Sequence, residues 1–176
     1  MTRRDDPDVD PGARVGSSPG TRGLLGAVVA FVAMPAMVAG VVPGLLLRID
    51  RWRGPPRTPG VALAALGAAG LLWCVRDFYV IGKGTLAPWA PPRRLVVRGL
   101  YRFVRNPMYV SVLATVAGLA WWRASPVLAG YAAALAIAFH LRVVLGEEPV
   151  MAQRFGEEWT AYRAAVRRWV PGRPRG

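Results

Sequence analysis

The sequence predicts an all-α, polytopic integral membrane protein with about four transmembrane helices and a C-terminal interfacial helix, and three observations carry that prediction. Of 176 residues, 53% are hydrophobic while the formal net charge is +13, a pairing that a soluble domain of this size seldom shows. The apolar residues gather in long runs, the first of which, Gly23 to Leu47, holds no charge at all. The basic residues lie between the runs and not along one face with interleaved aromatics, which argues for a membrane and against nucleic acid as partner.

Residues 1–20 mix Asp5, Asp6, Asp8 and Asp10 with Pro, Gly and Ser; that composition cannot bury a core, so a disordered N-terminal tail is expected. It does not read as a signal peptide, because acids stand where a basic n-region belongs. Two transmembrane helices are expected within 21–82. Gly23 to Leu47 is long enough for a hydrocarbon core of about 30 Å, with kinks expected at Pro35 and Pro43. Arg48 to Pro59, with four Arg and three Pro, is a polar connection, and Val61 to Ile81 is the second helix. Within it Arg76 and Asp77 are neighbours in sequence and so point to different sides. Either the helix emerges there and Arg76 snorkels to the interface, or one of the pair faces a site, the usual role of a charge inside a membrane.

Residues 83–176 are expected to carry the chemistry. Lys83 to Asn106 holds six basic residues, several Pro and Gly, and no acid, the pattern of an interfacial loop. Met108 to Trp122 and Pro126 to Leu145 are two more apolar arms, and the Arg123-Ala124-Ser125 turn between them forces an antiparallel hairpin. Trp121 and Trp122 suit an aromatic belt. Beyond Gly146 the chain becomes charged, amphipathic and aromatic through Trp169, which reads as an interfacial helix. Four crossings put sixteen Lys and Arg on the side of both termini and five on the other, so the positive-inside rule places termini and site in the cytoplasm. Cys74 and His140 are each the only residue of their type, so neither a disulfide nor a metal site is expected.

Asn106 and Pro107 are ordinary helix-start residues, an N-cap followed by proline at the first helical position. Capping does not explain why Tyr101, Arg102, Arg105 and Tyr109 gather at the same helix start, whose free amides and dipole favour an anion. The hairpin brings Glu147-Glu148 back beside them, at what reads as a helix C-terminus where acids oppose the macrodipole. Solvated surface acids are one explanation. The other is a cation site facing an anion site, with aromatic faces between, matched by a ligand with an amino acid moiety and an onium centre.

The string Gly99-Leu100-Tyr101-Arg102-Phe103-Val104-Arg105-Asn106-Pro107-Met108-Tyr109, then Glu147-Glu148-Pro149, then Phe155-Gly156-Glu157-Glu158-Trp159-Thr160-Ala161-Tyr162, resembles the isoprenylcysteine carboxyl methyltransferase family and its phospholipid methyltransferase relatives. The similarity runs from about Gly82 to Pro171. That family's pattern is an Arg-His-Pro-x-Tyr block, a Glu-Glu pair after a hairpin and an aromatic tail; Asn106 stands where the block usually has His. The resemblance implies a membrane enzyme that binds S-adenosylmethionine and methylates a lipophilic acceptor from the bilayer, most like isoprenylcysteine carboxyl O-methylation. It also implies cofactor contacts from Tyr101, Asn106, Tyr109 and Glu147. Arg105 and Glu148 are the expected catalytic pair, Arg105 to hold a carboxylate and Glu148 as base for an amine or phenol acceptor. Arg105 is expected to be exposed and to matter more for turnover than for folding. Phe155, Trp159 and Tyr162, spaced four and three apart, share one helical face as packing or as a lid. The alternatives are phospholipid N-methylation and a non-catalytic membrane protein whose basic loops bind anionic lipid.

Overall fold

A computed structural model of the chain describes residues 34–81, 95 and 97–173. The tail expected over residues 1–20, the start of the first apolar run and most of the loop expected from Lys83 lie outside the described residues. Among those described, all regular structure is helical.

The first helix, α1 (Met34–Ile49), passes through Pro43 without stopping. A π turn at Met37–Val41 makes this possible: the Val42 N–H reaches back to the Met37 carbonyl, widening the helix where a proline ring would crowd it. Pro43 has no N–H to offer, so the Val38 carbonyl is left without a helical donor. The Tyr131 hydroxyl donates to it at 3.0 Å. The second helix, α2 (Thr58–Ile81), starts ahead of its apolar run, with Pro59 in the first turn, where a missing N–H is harmless.

The third helix, α3 (Pro107–Trp122), forms the centre. Its Val112 and Val116 are buried with Ala39, and Val38, Leu71, Tyr131, Leu135 and Phe139 pack around them. Helices α2 and α3 touch backbone to backbone. A β-carbon on Gly118 would overlap the Ala64 amide and lie 2.7 Å from Ala64 Cα; one on Gly67 would lie 2.6 Å from Thr115 Oγ1. Small residues at such a crossing let membrane helices gain van der Waals contact where no hydrophobic force operates.

The fourth helix, α4 (Pro126–Arg142), is N-capped by Ser125, whose hydroxyl oxygen accepts from the Leu128 N–H at 3.1 Å. The same hydroxyl donates to the buried carboxylate of Asp50, which is thereby held below the usual carboxylate range. Backbone bonds from Arg57 N–H to the Trp122 carbonyl (2.7 Å) and from Gly54 N–H to that of Ala124 (3.3 Å) complete a clamp of the first connection over the hairpin turn. The clamp holds Ala124 at φ +43°, a conformation non-glycine residues seldom adopt.

Gly146, expected to end the second arm, does not end it. A second π turn, Val143–Glu147, carries the helix into α5 (Glu148–Ala165), again immediately before a proline, Pro149. The acid pair therefore sits inside a continuing helix, and the macrodipole penalty expected of a helix end does not apply. The real break is Gly156, at φ 48° and ψ −116°. After Ala165 the chain leaves the helix, so the expected helix through Trp169 stops short.

Among the described residues, two helices are long and apolar enough to cross a membrane, Thr58–Asp77 within α2 and the joined Pro126–Ala165; the described parts of α1 and α3 are shorter apolar helices. Leu66, Leu72, Ile137 and Leu145 point outward and are largely exposed. An apolar surface of this kind is what a bilayer solvates.

Candidate active site at the start of α3

The approach to α3 is a 3-10 turn, Gly99–Arg102, seated on the end of α2. Gly99 has φ +57°, and a β-carbon there would overlap Asp77 Oδ2, so only glycine fits. The divergence of Arg76 and Asp77 is resolved by this contact: the Arg76 side chain is 72% exposed and that of Asp77 10%, with 3.7 Å between them. The turn is also held from α5, where the Tyr162 hydroxyl donates to the Tyr101 carbonyl at 2.8 Å. Burial pushes the Tyr101 hydroxyl well above its ordinary pKa.

Two polar clusters then meet across the hairpin. In the first, the Tyr109 hydroxyl donates to Glu147 Oε1 at 2.5 Å, and Arg142 Nε donates to both groups at 3.0 and 2.9 Å. The Tyr109 and Phe139 rings lie 4.5 Å apart, tilted. Tyr109 is on α3, Arg142 ends α4, and the π turn swings Glu147 toward both.

The second cluster centres on Glu148, which Arg168 grips with Nε (2.7 Å) and Nη2 (2.8 Å), a bidentate charge-assisted pair. Arg105 Nη1 lies 3.2 Å from the same carboxylate. Contrary to the expectation of an exposed arginine, the Arg105 side chain is only 8% exposed, because it lies under the Trp159 ring with its guanidinium carbon 5.6 Å from the ring centroid. Burial draws its pKa down while the Glu148 charge works in the opposite direction; Arg168 is pushed up by its bond to Glu148. Arg105 is therefore part of the packing, not a surface charge.

Asn106 is the N-cap residue of α3, but its side chain caps nothing. Its amide instead donates to the Arg168 carbonyl at 3.2 Å. With Arg105 N–H on the Arg167 carbonyl and Gly172 N–H on that of Phe103, the segment after α5 is strapped along the entry to α3. The Gly156 break divides the aromatic row: Trp159 and Tyr162 are buried with Val166, and Phe155 packs on that cluster from before the break.

Thus Tyr101, Arg105, Asn106, Tyr109, Glu147 and Glu148 share one corner. Arg168 and the indole of Trp159 belong to it as well; sequence pattern offered Trp159 only as packing or a lid and missed Arg168, which is 20 residues from Glu148 and 62 from Asn106. A donor–acceptor mismatch marks the corner. Arg105 Nε and Trp159 Nε1 are buried without a hydrogen-bond partner, and Arg105 Nη1 has only its ion-pair contact with Glu148, a state that buried donors rarely occupy unless something else meets them. An anionic group would satisfy them, beside a helix start that favours one. Glu147 and the Tyr109 and Phe139 rings offer the opposite preference, for a cation. A molecule carrying both an anionic and a cationic group fits this donor set. A groove of about 360 Å³, lined by Val97, Arg102, Glu158, Ala161, Tyr162 and Val166, opens next to the corner.

Apolar helices whose exposed faces suit lipid, meeting at a charged and aromatic corner, define a helical membrane protein with a polar site at its helix ends. The family model for phospholipid methyltransferases matches residues 58–158. That is more than half of the chain, which therefore belongs to the phospholipid methyltransferase family, within the isoprenylcysteine carboxyl methyltransferase-like group. No curated protein and no solved structure matches it. By family it is a membrane methyltransferase.

Proposed function

We propose that this chain binds S-adenosylmethionine at the start of α3 and methylates a lipophilic acceptor drawn from the bilayer. The observation that carries this reading is the pairing of opposite preferences at one corner: Glu147 held by Tyr109, beside the buried Arg105 Nε and Trp159 Nε1, which lack a hydrogen-bond acceptor. In this reading α1 with the run before it, α2, α3 and α4 cross the membrane, and the basic termini and the corner face the cytoplasm.

When bound, the cofactor supplies a methyl group already activated by its sulfonium, so alignment is the main task left to the protein. Glu147 holds positive charge, oriented by Tyr109 and Arg142. Arg105, Trp159 and the α3 amides hold the carboxylate end. Trp159 and Tyr162, packed over the corner, keep water out. Glu148 is engaged by Arg168 and Arg105 and so is poorly placed to take a proton from an acceptor. That favours a carboxylate acceptor, which needs no base, and hence O-methylation. A second reading, N-methylation of a phospholipid amine, draws support from the neighbouring groove, where Arg102 suits a phosphate and Glu158 an ammonium.

Incubating the purified protein with methyl-labelled S-adenosylmethionine and native membrane extract tests both readings. Label released as methanol by mild base is expected for O-methylation; base-stable label in lipid amines supports the second reading; no transfer to any lipophilic product contradicts both.

A further inference from the structure

We infer that the end of the bundle opposite the candidate active site binds a phospholipid with a net negative headgroup, its phosphate at Arg57 and one acyl chain in a groove between α3 and α4. This end lies a full α3 length away, about 24 Å for its 16 residues. The groove has a volume of about 520 Å³ and is lined by Arg57, Ala117, Ala120, Trp121, Ala129 and Ala132, within the range of about 300–1,000 Å³ typical of small-molecule sites.

Its walls are methyl groups on two helices, a trough for hydrocarbon with nothing to bond a polar chain. Ser125, on its floor, has a hydroxyl already committed to Asp50 and to the Leu128 N–H. Arg57 is the charged residue on the rim. Its backbone N–H holds the clamp, while its guanidinium has no ion pair among the described residues. A phosphate would supply one.

The choice of headgroup follows from the neighbours. Arg51, Arg53 and Arg123 flank Arg57 in the two connections at this end, Arg48 stands in the last turn of α1, and Asp50 is the one acid among residues 48–59 and 123–125. Asp50 is 3% exposed and is bonded by Ser125 and by the Trp52 N–H. A phosphate therefore finds counterions here, whereas the ammonium of a zwitterionic headgroup finds no free carboxylate among the described residues at this end. A second copy of this chain would set arginines against arginines.

The test is native mass spectrometry of the full-length protein released from nanodiscs containing equal phosphatidylglycerol and phosphatidylethanolamine. Wild type is expected to retain phosphatidylglycerol preferentially, Arg57→Gln to retain about fivefold less, as removal of one arginine at a membrane surface implies, and Arg57→Lys to keep most of the binding. Ala129→Leu, which narrows the trough without touching the charge, is expected to lower retention likewise. Equal retention of the two lipids, undiminished binding by Arg57→Gln, or displacement by inorganic phosphate alone would overturn the assignment. So would a dimer that Ala129→Leu dissociates, since the groove would then belong to a second copy.

Discussion

Replacing Gly118 by leucine is expected to separate α2 from α3 and abolish the ordered bundle. Forcing extra methylenes into a well-packed site costs about 1–3 kcal/mol even when neighbouring side chains can move aside. Here the neighbours are backbone, the Ala64 amide and Cα and the Gly60 carbonyl oxygen at 2.8 Å, and backbone in a helix cannot turn away. Relief requires α2 to move bodily, which also shifts the end of α2 that seats Gly99 and the turn carrying Tyr101. Gly130→Leu is the matched control, since a β-carbon there meets nothing within 4 Å. Thermal unfolding in detergent, followed by near-ultraviolet circular dichroism of the tryptophans, is expected to show no cooperative transition for Gly118→Leu and a wild-type transition for Gly130→Leu. A normal transition for Gly118→Leu contradicts the close packing of α2 on α3.

Glu148→Ala has the second large effect, and it falls first on stability. The carboxylate is 12% exposed and faces both Arg105 and Arg168. Its removal strands the Arg105 charge beneath Trp159, and leaving one partner of a buried pair uncompensated costs about 3–5 kcal/mol. Part of that loss is expected to return in Glu148→Ala combined with Arg105→Met, where no buried charge remains, because the two positions are coupled. The double variant separates the two roles of Arg105. Recovered stability with no methyl transfer fits a residue that packs and also binds ligand. If Glu148→Ala unfolds at the wild-type denaturant midpoint, the pair contributes nothing to the fold.

Much of the helical order was legible in residues that act locally. Charge-free runs mark apolar helices, Asn106-Pro107 marks the start of α3, and Arg123-Ala124-Ser125 is short enough to force a hairpin. The hairpin in turn predicts that Glu147-Glu148 returns to Tyr109. Devices that depend on distant partners were not legible. Pro43 reads as a kink signal, yet it follows a π turn that keeps the helix going, as does Pro149. Gly146 reads as a stop although the helix passes through it, while Gly156, ten residues on, takes the positive φ that breaks it. The burial of Arg105 needed a tryptophan from beyond the Gly156 break and a second arginine from the strap after α5, which no local periodicity announces. Gly67 and Gly118 were visible, but hydrophobicity alone reads them as filler when they set the distance between two helices.

The most direct measurement is a calorimetric titration of S-adenosylmethionine into full-length protein in nanodiscs, comparing wild type with Glu147→Gln. The substitution keeps an oxygen for Tyr109 and Arg142 while removing the negative charge, so the fold is expected to persist. Loss of an interaction with a charged group of about 1.5–3 kcal/mol corresponds to affinity weakened by roughly ten- to a hundredfold. Saturable binding by wild type, weakened on that scale in a variant with unchanged circular dichroism, is the predicted result. Equal affinity in the two proteins, or no binding by wild type, contradicts a methyl-donor site at this corner.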